Sequence, residues 1–173
     1  TGAAGGYADS ALVQANRYLR GPVDIKWQWV VDNPTVNEFF PTMGVGDGTW
    51  TGENQTNGIG IDYDWSGSWQ PFSMTAGVKT TGTTVVTGHT DGLTINGRMQ
   101  IKSGSFKFKW WETADEPEAW SSEWNPAIRW EGGFLMIRLT CGAAAVAKEM
   151  FLENIQVRSL LPHLPVTSRY GRR

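Results

Sequence analysis

The chain has 173 residues, a formal net charge of −2 and 18% charged side chains, which fits one globular domain and excludes a strongly basic nucleic-acid binder. Its 21 glycines and 10 tryptophans, with 40% hydrophobic residues overall, exclude a disordered chain and favour strands over helices. No run of about 18 apolar residues occurs, so we expect no membrane span and no membrane partner.

The first predicted element is a short helix. Residues 1–8 are mostly small and are typical of a flexible linker. Asp9 can cap a helix that runs to Arg20, because a Gly-Pro pair follows directly and ends it.

The rest of the chain predicts strands. Residues 23–31 alternate apolar and polar side chains, with Val23, Ile25, Trp27 and Trp29 on the face that should be buried. Further strands are predicted over 58–65, 83–87, 93–95, 98–102, 105–111, 134–140 and 150–160. Residues 66–82 are predicted to be irregular, 112–127 to be an acidic loop, and 143–147 to be a helical turn or a loop.

Eight strands with long connections are typical of a two-sheet jelly roll. We therefore predict an all-β, eight-stranded jelly-roll sandwich with one short helix near the N-terminus. The predicted domain covers residues 9–165, after the linker at 1–8 and before a basic tail at 166–173.

Groups for catalysis or metal binding are not clustered in the sequence. No nucleophile-elbow, zinc-protease or phosphate-loop motif occurs. His89 and His163 stand apart, and the single Cys141 excludes both an internal disulfide and a four-thiolate metal site. We therefore expect that the protein is not an enzyme and needs no cofactor.

Two carboxylates are the only candidates for a metal site. Asp62 and Asp64 point to the same side of their predicted strand. They could bind Ca²⁺ at a subunit interface or act as an acid and a base, although a solvent-facing strand end is the simpler explanation.

Several tryptophans lie in or beside predicted loops and need an explanation other than the core. Loop tryptophans serve either as anchors of protein interfaces or as platforms on which sugar rings stack. The candidates for these two roles are Trp65, Trp69, Trp120 and Trp124.

Three stretches resemble one known family. They are 10–31, where Ala-Asn-Arg-Tyr-Leu-Arg-Gly-Pro precedes a long strand; 58–65, with Gly-Ile-Asp-Tyr-Asp-Trp; and 133–160, which holds the two closing strands. Their order resembles the jelly-roll shell domain of small icosahedral virus coat proteins, of the tombusvirus, sobemovirus and nodavirus kind. The basic arm of that family would have to lie upstream of Thr1, because the first seven residues are neutral.

The resemblance implies a coat protein of the virion that assembles with copies of itself into a closed shell around an RNA or DNA genome. Contact with phosphates would be non-specific. Its candidate residues are the arginines of the leading helix and of the tail, namely Arg17, Arg20, Arg169, Arg172 and Arg173.

Two alternatives keep the β-sandwich but change the function. One is a carbohydrate-binding module that uses the loop tryptophans, and the other is a phage tail or decoration protein. Fold alone does not separate these functions.

Overall fold

Strands make up all the regular structure in a computed structural model that describes residues 9–31, 39–48, 50–51, 54–63, 68–84, 86–87, 94–127, 130–141 and 150–161. The strands are β1 Asp9–Arg20, β2 Val23–Val31, β3 Phe39–Gly46, β4 Trp50–Thr51, β5 Asn54–Gln55, β6 Gly58–Tyr63, β7 Ser68–Thr75, β8 Val78–Thr81, β9 Val86–Thr87, β10 Thr94–Lys102, β11 Ser105–Trp111, β12 Ser122–Trp124, β13 Gly132–Cys141 and β14 Met150–Ser159. None of these described residues forms a helix that could cross a membrane.

The strands form a sandwich of two antiparallel sheets. Sheet A has the order β1-β13-β3-β6-β7-β8, with β9 also paired to β7, and sheet B has the order β12-β11-β10-β2-β14. The short strands β4 and β5 pair only with each other. The predicted all-β, two-sheet architecture is therefore confirmed.

The predicted N-terminal helix is wrong, because residues 9–20 form β1. This strand pairs with β13 from Asp9 opposite Cys141 to Arg20 opposite Gly132, with a shift of register between Gln14 and Tyr18. Ala, Leu and Arg are good helix formers, but helix propensity amounts to less than about 1 kcal/mol per residue, and pairing with a neighbouring strand overrides it. Gly21, with a φ of +68°, then makes the turn into β2.

The predicted strand number is too low. Among the described residues, eleven strands have three or more residues, against the eight expected. The segment predicted to be irregular contains β7 and β8, joined by a turn at Ala76 and Gly77, whose φ angles are 49° and 80°. Such a turn usually carries Asn or Asp before Gly, so the Ala-Gly pair hides it in the sequence.

Two predicted strands, 93–95 and 98–102, join into β10. The intervening Asn-Gly pair is typical of a turn. Gly97 instead lies within the strand because the ring of Trp27 packs directly over it, leaving no room for a side chain.

The core lies between the sheets and is rich in aromatic rings. The predicted face of β2 is confirmed, because Val23, Ile25, Trp27 and Trp29 are at most 2% exposed. Trp29 stacks on Trp69 at 4.8 Å between ring centroids. Such stacking adds to the hydrophobic stabilisation of the sandwich.

The linker at 1–8, the residues at 143–147 and the tail at 166–173 lie outside the described residues.

Candidate functional site

An open cleft lies between the edges of the two sheets on one side of the sandwich. It has a volume of about 530 Å³ and is lined by Ser73, Thr75, Thr80, Trp124, Asn125, Pro126 and Ala127. At this side β8 is the last strand of sheet A, and β12 is the last strand of sheet B. We call this cavity the inter-sheet cleft, and its volume lies within the range of about 300–1,000 Å³ that is usual for small-molecule sites.

The wall from sheet A carries three hydroxyl groups. Ser73 pairs with Thr80 across β7 and β8, and Thr75 lies two residues after Ser73 on the same face. Ser73 is only 6% exposed and lies deepest, whereas Thr75 and Thr80 are exposed. The cleft therefore has polar groups from its floor to its rim.

The wall from sheet B is formed by Trp124 and the residues that follow it. Trp124 pairs with the buried Phe106, so its side chain points towards the space between the sheets. Its ring is partly buried against the core. Pro126 is buried beside it, and the exposed Asn125 adds an amide group.

Gly82 holds the indole ring of Trp124 in place. A Cβ atom at Gly82 would lie 3.0 and 3.1 Å from two ring atoms of Trp124, and 2.8 Å from Cγ of Pro71. The ring thus packs directly on the backbone after β8. This close packing restricts the ring before any ligand arrives, which lowers the entropy cost of binding.

The tip of the β7–β8 hairpin is also anchored. The backbone N–H of Gly77 donates to the carbonyl oxygen of Thr56 at 2.8 Å. The backbone N–H of Ala76 donates to Oδ1 of Asn57 at 3.1 Å. Both walls of the inter-sheet cleft are therefore held by contacts within the protein.

The predicted tryptophans separate into different environments. Trp124 lines the inter-sheet cleft, whereas Trp69 is 1% exposed in the core and so cannot serve as a platform. The ring of Trp120 covers Lys109, 4.9 Å from Nζ, and Arg98, 5.8 Å from Cζ. Trp65 lies outside the described residues.

The carboxylate of Asp62 is engaged within sheet A. It forms an ion pair with Lys79 and accepts a hydrogen bond from Thr42. Burial raises the pKa of Asp62 above its usual range, although the charges of Lys79 and Arg138 act against this rise. Asp64 lies outside the described residues, and among those described no group of three His, Cys, Asp or Glu could hold a metal.

The arginines predicted to contact nucleic acid do not form a cluster within the part of the chain that the structure describes. Arg17 and Arg20 are exposed on β1, at the edge of sheet A. The three tail residues Arg169, Arg172 and Arg173 lie outside the described part of the chain.

A network of charges covers the outer face of sheet B. Asp24, only 1% exposed, accepts hydrogen bonds from Nε of Arg98 at 2.8 Å and from Nη2 of Arg158 at 2.7 Å. Burial raises the pKa of Asp24, but the two arginines more than offset this effect and hold it below the usual range.

Glu116 attaches the loop after β11 to this network. Its carboxylate lies 2.6 Å from Arg98, 2.7 Å from Lys109 and 3.0 Å from Lys26. Burial raises the pKa of Glu116, but hydrogen bonds from these three cations lower it to about 2. The loop thus lies over sheet B through one carboxylate and three positive charges.

The lowered pKa of Glu116 predicts a loss of stability in acid. Its contribution is complete above the ordinary pKa of 4.5 and disappears as the pH falls towards 2. The shift corresponds to at most about 3 kcal/mol of the free energy of unfolding. Urea unfolding at pH values from about 7 down to 2 should show this loss.

The variant Glu116→Gln isolates that contribution from those of other carboxyls. It should be less stable than the original protein at neutral pH and should lose less stability on acidification. Equal losses in both proteins over this pH range would contradict the role of Glu116.

The polar residues of the inter-sheet cleft were missed by the sequence analysis. Ser73, Thr75 and Thr80 alternate with apolar or charged residues in the segment Ser-Met-Thr-Ala-Gly-Val-Lys-Thr. This alternation on both sides of Ala-Gly was the available signal for a hairpin with one hydroxyl-bearing face.

Comparison with known proteins bears on the fold. No family model and no curated protein match the sequence. Among solved structures, the carbohydrate-binding module CBM66 from Bacillus subtilis has a TM-score of 0.62 and 9% identity, covering 87% of this chain and 82% of its own. Sheep galectin-11 has a TM-score of 0.55 and 9% identity, covering 88% of this chain and 100% of its own. A β-1,3-glucanase from Mycobacterium marinum has a TM-score of 0.55 and 14% identity, covering 85% of this chain and 67% of its own.

The predicted viral coat function is wrong. The chain shares its two-sheet arrangement with a carbohydrate-binding module, a galectin and a glucanase, and none of these three is a shell-forming coat protein. The resemblance rested on the order of a helix and several strands, and the helix in that order is the edge strand β1. At 9–14% identity the comparisons establish the fold alone.

Proposed function

We propose that this protein is a carbohydrate-binding module whose ligand site is the inter-sheet cleft. The observation that carries the proposal is Trp124, an indole ring that lines a cavity together with hydroxyl and amide groups. A sugar ring has an apolar face of C–H groups and a rim of hydroxyls. The indole suits the first and the polar side chains suit the second.

Structural neighbours support the same class of ligand. The module from Bacillus subtilis is a carbohydrate-binding protein by its name, and the other two neighbours are a galectin and a glucanase. The cleft in this chain lies at the sheet edges, so its ligand would enter between β8 and β12.

We further propose that the protein binds sugar without cleaving it. Glycosidic cleavage generally needs two carboxyl groups on either side of the bond. The described side chains that line the inter-sheet cleft are hydroxyl, amide, indole and apolar groups. These groups suit recognition rather than proton transfer.

Replacing Trp124 with alanine should weaken carbohydrate binding by at least about tenfold, because the stacking surface is lost. Candidate ligands come from a glycan array, and calorimetry then measures the affinity for the best one. Thr80→Ala, an exposed change, should weaken binding less and leave the fold intact.

Trp120→Ala is the matched control. It also removes an indole ring, but from the outer face of sheet B, where the ring covers Arg98 and Lys109. Binding should be unchanged in this variant. The proposal fails if no glycan binds, or if Trp120→Ala and Trp124→Ala weaken binding equally.

A further inference from the structure

We infer that the inter-sheet cleft selects uncharged sugar rings and rejects sugars that carry a carboxylate. This inference rests on the proposed function and adds the class of ligand.

All the described residues that line the cleft are uncharged. They comprise three hydroxyl side chains, one amide, one indole, one proline and one alanine. Each hydroxyl can both donate and accept a hydrogen bond, and the amide can do both through different atoms. This set matches the hydroxyls of a neutral sugar, which also donate and accept.

The nearest charged side chains on the same strands face away from the cleft. Lys79 precedes Thr80 on β8, and it reaches Asp62 on the opposite face of sheet A. Glu123 precedes Trp124 on β12, and its carboxylate lies 2.9 Å from Nζ of Lys107 on the outer face of sheet B. The alternation of the two edge strands therefore directs both of these charged side chains away from the cleft.

A carboxylate that enters this cleft loses water, and none of the described residues that line the cleft is a cation that could pair with it. That exchange is unfavourable, because a charge taken from water needs a partner of opposite sign or several strong donors. A neutral hydroxyl at the same position of the sugar loses less hydration and finds a matching partner. The preference for neutral sugars over charged ones therefore comes from the hydration free energy that a carboxylate loses when it leaves water.

Gly82 strengthens this selection by limiting adjustment of the ring. Because the indole of Trp124 packs on Gly82 and near Pro71, it cannot move towards them to make space for a hydrated group. The platform suits the bare C–H face of a neutral ring. Gly82→Ala should displace the ring and weaken binding of the neutral ligand, while the backbone remains unstrained because φ there is not positive.

The test compares one polysaccharide in two charge states. The best neutral ligand is measured by calorimetry before and after oxidation of its primary hydroxyls to carboxylates, and again after chemical reduction restores them. Oxidation should weaken binding by at least about tenfold, and reduction should restore it. Binding of the neutral form should not change with salt concentration.

A second variant tests the cause. Thr80→Lys places a cation at the exposed rim of the cleft, and it should improve binding of the oxidised polymer while leaving the neutral form no better bound. If the oxidised polymer binds the original protein as well as the neutral one, through Trp124, the inference is overturned and the proposed function stands. If no glycan binds through Trp124, both are overturned.

Discussion

Replacing Asp24 with asparagine should lower the free energy of unfolding by about 3–5 kcal/mol, the range found when one partner of a buried ion pair is removed. Asp24 is 1% exposed, and both of its oxygens accept hydrogen bonds, from Arg98 at 2.8 and 2.5 Å and from Arg158 at 2.7 Å. Asparagine keeps the shape but directs an NH₂ group at guanidinium donors. It also removes the negative charge that both arginines face.

Glu123→Gln is the matched control for this effect. It breaks an ion pair with Lys107 on the same sheet, but the Glu123 side chain is 58% exposed. Pairs of this kind contribute at most about 1 kcal/mol. Urea unfolding of both variants checks the difference, and a loss below about 1 kcal/mol for Asp24→Asn would show that the network contributes little.

Gly60→Ala, at the centre of sheet A, should lower the free energy of unfolding by a similarly large amount. Gly60 lies opposite Gly44 on the neighbouring strand β3. A Cβ atom at Gly60 would lie 2.6 Å from Cα of Gly44 and closer still to the carbonyl oxygen of Met43. Both obstacles are backbone atoms, so β3 and β6 must separate, and we expect a loss of at least about 3 kcal/mol, the upper end of the range for overpacking.

Gly104→Ala separates this steric effect from the general cost of replacing glycine. Gly104 has a φ of +70°, and an added Cβ would contact nothing within 4 Å. Only backbone strain of about 1–2 kcal/mol is therefore expected. Thermal and urea unfolding should rank the two variants in this order, and equal stability of Gly60→Ala and Gly104→Ala would refute the close approach of the strands.

The strands with strong alternation were predictable because a period of two has a direct physical meaning. Along β2 every second residue is buried between the sheets, from Val23 to Trp29. The same holds for β11, where Phe106 and Phe108 are at most 1% exposed. Because buried positions of a strand need apolar side chains, an apolar residue at every second position indicates which face is buried.

β1 was mispredicted because its local signals compete. Asp9, Ala11 and Leu12 are compatible with a capped helix, and nothing nearby in the sequence shows that β13, more than a hundred residues later, is the pairing partner. The predicted division of β10 into two strands, 93–95 and 98–102, failed for a similar reason. The role of Gly97 depends on Trp27, which reaches it from another strand.

The candidate site depended still more on long-range contacts. Trp124 was singled out by sequence together with Trp65, Trp69 and Trp120, but sequence could not tell which ring lines a cavity. Trp69 packs on Trp29 and is buried, whereas Trp124 lines the inter-sheet cleft together with Ser73 and Thr80. The coat function was predicted from the order of the elements, and that order does not depend on these contacts.

The all-β class, the buried face of the second strand and a set of tryptophans that includes the one in the cleft follow from the sequence alone. These properties are local, because each apolar side chain is driven out of water independently of its partners, and the resulting pattern appears in a short stretch of sequence. The tertiary structure alone decided that residues 9–20 form a strand, that Gly60 lies against Gly44, and that hydroxyls of one sheet face an indole of the other. These outcomes arise from pairing and packing between distant segments, whose energies exceed the weak preferences of the individual residues.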